Sequence, residues 1–137
     1  MATIFAVIDT NVIVSALLTR NRDAATARVL DMVFSQMRIT PLYNDEIIAE
    51  YNNVLKRAKF GFPSELIDGI ISLIVARGLN SKRVSAGEHF LDPKDVVFYE
   101  VALSKDDAYL VTGNIKHFPR TPIVVTPAEM MAIIEHS

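Results

Sequence analysis

The chain opens on an apolar run, Ile4-Phe5-Ala6-Val7-Ile8, that stops on Asp9. The run is too short for an independent helix and rich in β-branched and aromatic residues, so it reads as a strand. It does not alternate with polar positions, which suits a parallel strand covered on both faces. Val12 to Leu18 predicts a short helix directly off Asp9, and Ala24 to Phe34 a second, with Ala27, Val29, Leu30, Val33 and Phe34 on its apolar side. Arg38 to Thr40 reads as a short strand closed by Pro41. Asn44 is a helix cap, followed by Asp45 and Glu46 where the helix dipole favours acids. The helix it opens runs from Asp45 to about Ala58 on a stripe of Ile47, Ile48, Tyr51, Val54, Leu55 and Ala58.

Gly61 and Pro63 end that helix, and Ser64 caps another through Ala76, stopped by Gly78. Val84 marks a minor strand. Asp92-Pro93-Lys94-Asp95 is a helix start with a capping residue, Pro at the first position and an acid in the first turn. Val96 to Leu103 is apolar on nearly every side, as a helix set into the core would be. Tyr109-Leu110-Val111-Thr112 is a buried strand ending on Thr112-Gly113-Asn114. Pro122 to Val125 is the last strand, and Pro127 opens a C-terminal helix. In that helix Met130, Met131, Ile133 and Ile134 suit core packing better than a partner surface.

Strands alternating with helices predict a three-layer α/β/α sandwich with a mainly parallel central sheet. Right-handed crossovers then bring the carboxyl ends of the strands to one edge, where ligands bind in such sheets. Asp9 and Thr112-Gly113-Asn114, each following a strand, are expected to meet there.

Composition narrows the function classes. With 137 residues, half of them apolar, residues 1–137 are expected to form a single domain. Charged residues make up 22% and there is no internal repeat, so neither disorder nor low complexity is indicated. The absence of cysteine excludes disulfides, thiolate metal sites and cysteine nucleophiles. No apolar segment approaches the roughly 20 residues of a membrane span. The N-terminus lacks the basic region of a signal peptide, so a soluble cytoplasmic protein is expected. A net charge of −2 argues against a broad basic footprint for nucleic acid. The local clusters Arg20 with Arg22, Lys56-Arg57 with Lys59, and Lys116-His117 with Arg120 read as solvated surface before phosphate cradles.

Four positions could share a site with Asp9 at its centre: Asp9, Glu50, Asp95 and Asn114. Glu50 borders the apolar stripe of its helix, where an acid is costly without a partner or an ion. Two readings stay open for it: joining an ion site, or reaching water or pairing locally with Arg57 or another cation. Asp92 and Asp95 both have a capping role available, and Asp95 falls on the helical line of Tyr99 and Ala102, so it points further inward. Asp106 and Asp107 lie in a turn and read as solvating acids. His89, His117 and His136 have no ligand spacing. Oxygen donors without cysteine or a placed histidine favour a hard cation, Mg²⁺ or Mn²⁺, over zinc. Acids around such an ion are a common device of phosphoryl transfer.

Val7-Ile8-Asp9-Thr10-Asn11-Val12, Glu50-Tyr51 with Val54-Leu55-Lys56-Arg57, Asp92-Pro93-Lys94-Asp95 and Leu110-Val111-Thr112-Gly113-Asn114 together resemble the ordered motifs of PIN-domain proteins. The branch most resembled is the PIN-type toxins of prokaryotic toxin–antitoxin pairs. The resemblance implies a metal-dependent endoribonuclease, with Asp9, Glu50 and Asp95 matching the three acids that hold the divalent ion. Asn11 matches a polar residue beside the first acid, and Thr112 the hydroxyl at the last strand end. It implies hydrolysis of an RNA phosphodiester by water activated at the ion, Asp9 being the central ligand. Glu50 and Asp95 would orient the ion or accept a proton through water. It also implies an antitoxin partner and a homodimer. Where many PIN domains carry a fourth acid, this chain has Asn114, a neutral oxygen donor, which favours one ion over two. A PIN fold that binds RNA or protein without cutting is the second reading. A phosphohydrolase with an Asp nucleophile ranks third, since such enzymes want an acid where Asn11 stands.

Overall fold

The computed structural model describes residues 3–87 and 92–137. Its strands are β1 (Ile4–Ile8), β2 (Ile39–Tyr43), β3 (Leu79–Asn80), β4 (Tyr109–Val111) and β5 (Val124–Val125). Its helices are α1 (Thr10–Leu18), α2 (Ala25–Phe34), α3 (Asp45–Leu55), α4 (Ser64–Arg77), α5 (Pro93–Leu103) and α6 (Pro127–Glu135). The strands form a five-stranded sheet in the order β3-β2-β1-β4-β5, with every pairing parallel. This is the α/β/α sandwich expected, its sheet wholly parallel. β1 lies in the middle, with Ala6, Val7 and Ile8 buried as their unbroken apolar run requires.

Because β1 and β4 are neighbours and run the same way, their carboxyl ends emerge together. Ile8 is in register with Val111, and the Asp9 N–H donates to the Val111 carbonyl at 2.9 Å. Helix α2 packs on α1 and α6, α3 packs on α4, α5 and α1, and α5 lies against β1 and β4. Five residues of α5, Val97, Phe98, Tyr99, Val101 and Ala102, are buried and apolar, as its all-round pattern predicted. Met130, Met131 and Ile134 of α6 also enter the core.

Several boundaries differ from the sequence expectation. Pro41 does not close β2 but sits inside it, opposite Ala6. The hydrogen bond from the Ile4 N–H to the Arg38 carbonyl puts the even-numbered residues of β2 on β1. Pro41 therefore turns its missing donor to the other side, which β3 reaches only from Leu42 onward. Helix α3 ends at Leu55 rather than near Ala58, and Ala58–Phe60 forms a separate 3₁₀ turn before Gly61, whose φ is 67°. Ala58 is exposed, so no burial extended the helix to it. Ser64 is the first residue of α4 and Pro63 occupies the cap position, with no side-chain capping bond. Val84 is not in a strand; β3 is Leu79–Asn80, and the Val84 N–H donates instead to the Glu100 carbonyl. The caps at Asn44 and Asp92 formed as predicted, accepting from the Ile47 and Lys94 N–H groups.

Gly78 marks where α4 must approach β2. A Cβ there would lie 2.4 Å from the Pro41 carbonyl oxygen and 2.5 Å from that of Ile74, closer than any side chain permits.

Candidate active site

Asp9 occupies the N-cap position of α1, yet its side chain makes no capping bond. The carboxylate is turned to the sheet edge instead. Its Oδ2 accepts from the Thr112 hydroxyl at 2.8 Å and from the Asn11 amide at 2.9 Å. The Thr112 oxygen in turn accepts from the Asn114 N–H at 2.9 Å, and Asn11 Oδ1 accepts from the Gly113 N–H at 3.0 Å. These four bonds tie the end of β1 to the end of β4 and leave the Asp9 carboxylate little rotational freedom. The same closeness leaves little room at Gly113, where a Cβ would stand 3.3 Å from Asn11 Oδ1 and press on that side chain. Beneath the site the buried Tyr51 hydroxyl donates to the Ile8 carbonyl at 2.5 Å. Burial and the Asp9 charge push its phenol well above the usual range, so Tyr51 stays protonated.

Asp9 is buried, and desolvation lifts its pKa to about 6, more than the bonds from Thr112, Thr10 and Asn11 bring it down; the nearby charge of Asp95 adds to the rise. Asp95, in the first turn of α5, is also raised, by partial burial first and then by the charges of Asp92 and Glu50. His117 works against this, its Nδ1 lying 3.4 Å from Asp95 Oδ2. Glu50 is half-buried on α3 and lines a cavity of about 260 Å³ with Glu46, Pro93, Lys94, Val97 and Phe98. Of the alternatives open for Glu50, the local pair with Arg57 is not formed.

The fold thus brings Asp9, Asn11, Thr112 and the Asn114 backbone into direct contact, and sets Asp95 and Glu50 near enough for their charges to be felt. Among the described residues, no three carboxylates or imidazoles close into a ready-made ion cage. The donor set nevertheless fits a hard divalent cation. It consists of oxygens, and its acids repel one another from a desolvated position, a tension that a cation would relieve. The Asn114 side chain makes no hydrogen bond to Asp9; it lines a second cavity, of about 290 Å³, with Gly113, Ile115, Lys116, His117 and Thr126. A further cavity, of about 580 Å³, lies at the opposite end of the sheet around Thr3, Phe5 and Lys105, away from these acids.

A model of the PIN domain matches residues 6–116. The chain belongs to the PIN-domain family. Membership places it in a nuclease superfamily whose members bind RNA and typically use divalent metal ions. Among curated proteins, no sequence matches this PIN domain. No helix among its described residues is long and apolar enough to cross a membrane.

Three participants were not foreseen. His117 was set aside for want of zinc spacing, and its approach to Asp95 depends on the 3₁₀ turn Ile115–His117, which leaves no periodic signal. His89 lies outside the described residues. Glu100, read only as part of an apolar helix, is buried and bound by Arg83 at 2.6 Å and by the Ala86 N–H at 2.9 Å. Arg83 also reaches Glu46 at 3.0 Å, which fastens the 81–87 segment across α3 and α5. A charge alternation four residues apart would have flagged a helical pair, but Arg83 and Glu100 are joined only by tertiary folding.

Proposed function

We propose that this PIN domain, residues 1–137 acting as one unit in the cytoplasm, is a metal-dependent endoribonuclease of the toxin type. The observation that carries the reading is the desolvated Asp9 carboxylate, held by Thr112 and Asn11 at the carboxyl edge of the sheet within reach of the charge of Asp95. Asp9, Glu50 and Asp95 would hold Mg²⁺ or Mn²⁺, with the Asn114 carbonyl as a neutral fourth donor. When bound, the ion supplies Lewis-acid activation of water and neutralises charge developing on the scissile phosphate.

The chain's own groups have distinct tasks in this reading. Thr112 and Asn11 hold Oδ2 of Asp9 and so fix the direction of its remaining lone pairs. Tyr51, through the Ile8 carbonyl, anchors the backbone immediately before Asp9. Asp95 and Glu50 would orient the ion or accept a proton through water, with His117 beside Asp95 at 3.4 Å.

An antitoxin and a homodimer belong to the same reading. On its side is α4, whose Leu66 and Leu73 are 44% and 38% exposed on the flank that also carries Gly69. The second reading, a PIN fold that binds RNA or a protein partner without cutting, is favoured by the neutral Asn114 and by the absence of a closed cage among the described residues.

The test is incubation of purified protein and its Asp9→Asn variant with RNA in Mg²⁺ or Mn²⁺. Cleavage by the parent alone is expected; equal cleavage by both would assign the activity to a contaminant. Calorimetric titration separates the second reading, for which no binding of either ion at millimolar concentration is expected.

A further inference from the structure

The cavity that opens past the end of β4 is lined by chemically dissimilar residues: Gly113, Asn114, Ile115, Lys116, His117 and Thr126. Neither the Asn114 side chain nor the Lys116 ammonium bonds to another described residue. Thr126 is already committed, accepting from the Glu129 N–H at 3.1 Å as the cap of α6. What remains to meet a ligand is one amide, one apolar wall, one cation and the face of an imidazole. At about 290 Å³ the cavity suits one nucleotide-sized group and not a duplex.

For a phosphate the lining offers one uncommitted cation, Lys116, a thin provision, and the acids behind the turn, Asp95 held by His117 with Asp92 and Glu50 as its neighbours, would oppose it although none of them lines the cavity. A neutral planar ring avoids that repulsion, lies against Ile115 and the imidazole, and offers its edge to Asn114. We propose that this cavity is a nucleobase subsite that selects the nucleotide next to the scissile bond, with Asn114 as the reading residue. The proposal rests on the nuclease reading above for its place in the reaction, though not for the binding itself.

Asn114 explains the choice between bases. A carboxylate at this place could only accept hydrogen bonds, whereas an amide can keep its oxygen toward the acids and present its NH₂ to the ring. The NH₂ favours a base that offers an acceptor at that edge and rejects one that offers a donor. Seating the preferred base also steadies the Ile115–His117 turn, and through His117 the carboxylate of Asp95.

The test has two arms. In the first, isotope-labelled full-length protein without metal is titrated with each of the four uncharged ribonucleosides. Shifts concentrated on the Asn114 side-chain amide and on residues 115–117 for one or two nucleosides are expected. In the second, cleavage ends are mapped on random-sequence RNA for the parent and for Asn114→Asp. The parent should prefer one base class by about tenfold, the discrimination one hydrogen bond provides, and the variant should fall toward no preference. Uniform response to all four nucleosides, no response in the pocket, or an unchanged preference in Asn114→Asp would overturn the subsite. Selective nucleoside binding by a protein that cuts nothing would uphold the subsite and sink the nuclease reading instead.

Discussion

Replacing Asp9 by Asn should make the metal-free protein more stable at pH 8 while abolishing its activity. Asp9 titrates at about 6 where an ordinary aspartate titrates at 3.8, because ionisation occurs in a desolvated position beside another acid. The folded state therefore binds the proton more tightly than the unfolded chain does. That stability is complete below about pH 4 and is lost as pH rises through 6. Above that window the ionised carboxylate costs the fold about 3 kcal/mol. Asparagine removes the charge and keeps an oxygen to accept from Thr112 and Asn11, but loses an acceptor, which offsets about 1 kcal/mol. The net gain of about 2 kcal/mol corresponds to roughly 6–10 °C in Tm for a chain of this length. Thermal unfolding followed by circular dichroism in EDTA, from pH 4 to pH 8, measures it directly. The variant should be the less stable of the two by up to about 1 kcal/mol at and below pH 4, overtake the parent between pH 4 and 6, and keep a constant advantage above that window. A variant no more stable at pH 8, or a difference independent of pH, would refute the account of Asp9 as a strained buried charge.

The remaining predictions concern the groups around it. Millimolar Mn²⁺ at pH 7.5 should raise the Tm of the parent and leave Asp9→Asn unmoved, as read by melts with the EDTA omitted. Thr112→Val should push the Asp9 carboxyl further up, since the hydroxyl bond is the largest influence lowering it; carboxyl-carbon NMR titration follows this, and urea denaturation should show a loss of about 1–2 kcal/mol. Gly78→Ala should cost about 2–3 kcal/mol by forcing α4 off the Pro41 carbonyl, whereas Gly69→Ala, with nothing within 4 Å, should stabilise α4 by about 0.5–1 kcal/mol. Arg83→Gln should raise the Glu100 carboxyl, which the Ala86 N–H and Arg83 hold below the usual range. Stability from that group is present above the ordinary carboxylate pKa and disappears as pH falls through the lowered one, so acid unfolding of the variant should begin at higher pH.

Much of this architecture could be read along the chain. An unbroken apolar run such as Ile4–Ile8 has one economical solution, a strand covered on both sides, and Asn44 and Asp92 carry their capping chemistry locally. Alternation of such strands with helices implies parallel pairing, and parallel pairing implies a shared carboxyl edge, which puts Asp9 and Thr112 on one edge; their direct contact needed β1 and β4 to be neighbours in the sheet. Pro41 defeated the same local reasoning: its harmlessness depends on where the neighbouring strand begins, a property of the sheet and not of the residue.

The side-chain partnerships belong to the tertiary structure. Asp9 acquires its raised pKa from burial that no window of sequence contains, and Arg83 finds Glu46 and Glu100 only because α3 and α5 converge on one segment. His117 meets Asp95 across a non-repeating turn. Sequence periodicity reports which face of an element avoids water, and so determined the layers and the edge at which the acids gather. Distances between groups far apart in the chain depend on how those layers stack, and only the folded chain decided that Asn114, expected beside the acids, would also border a cavity of its own.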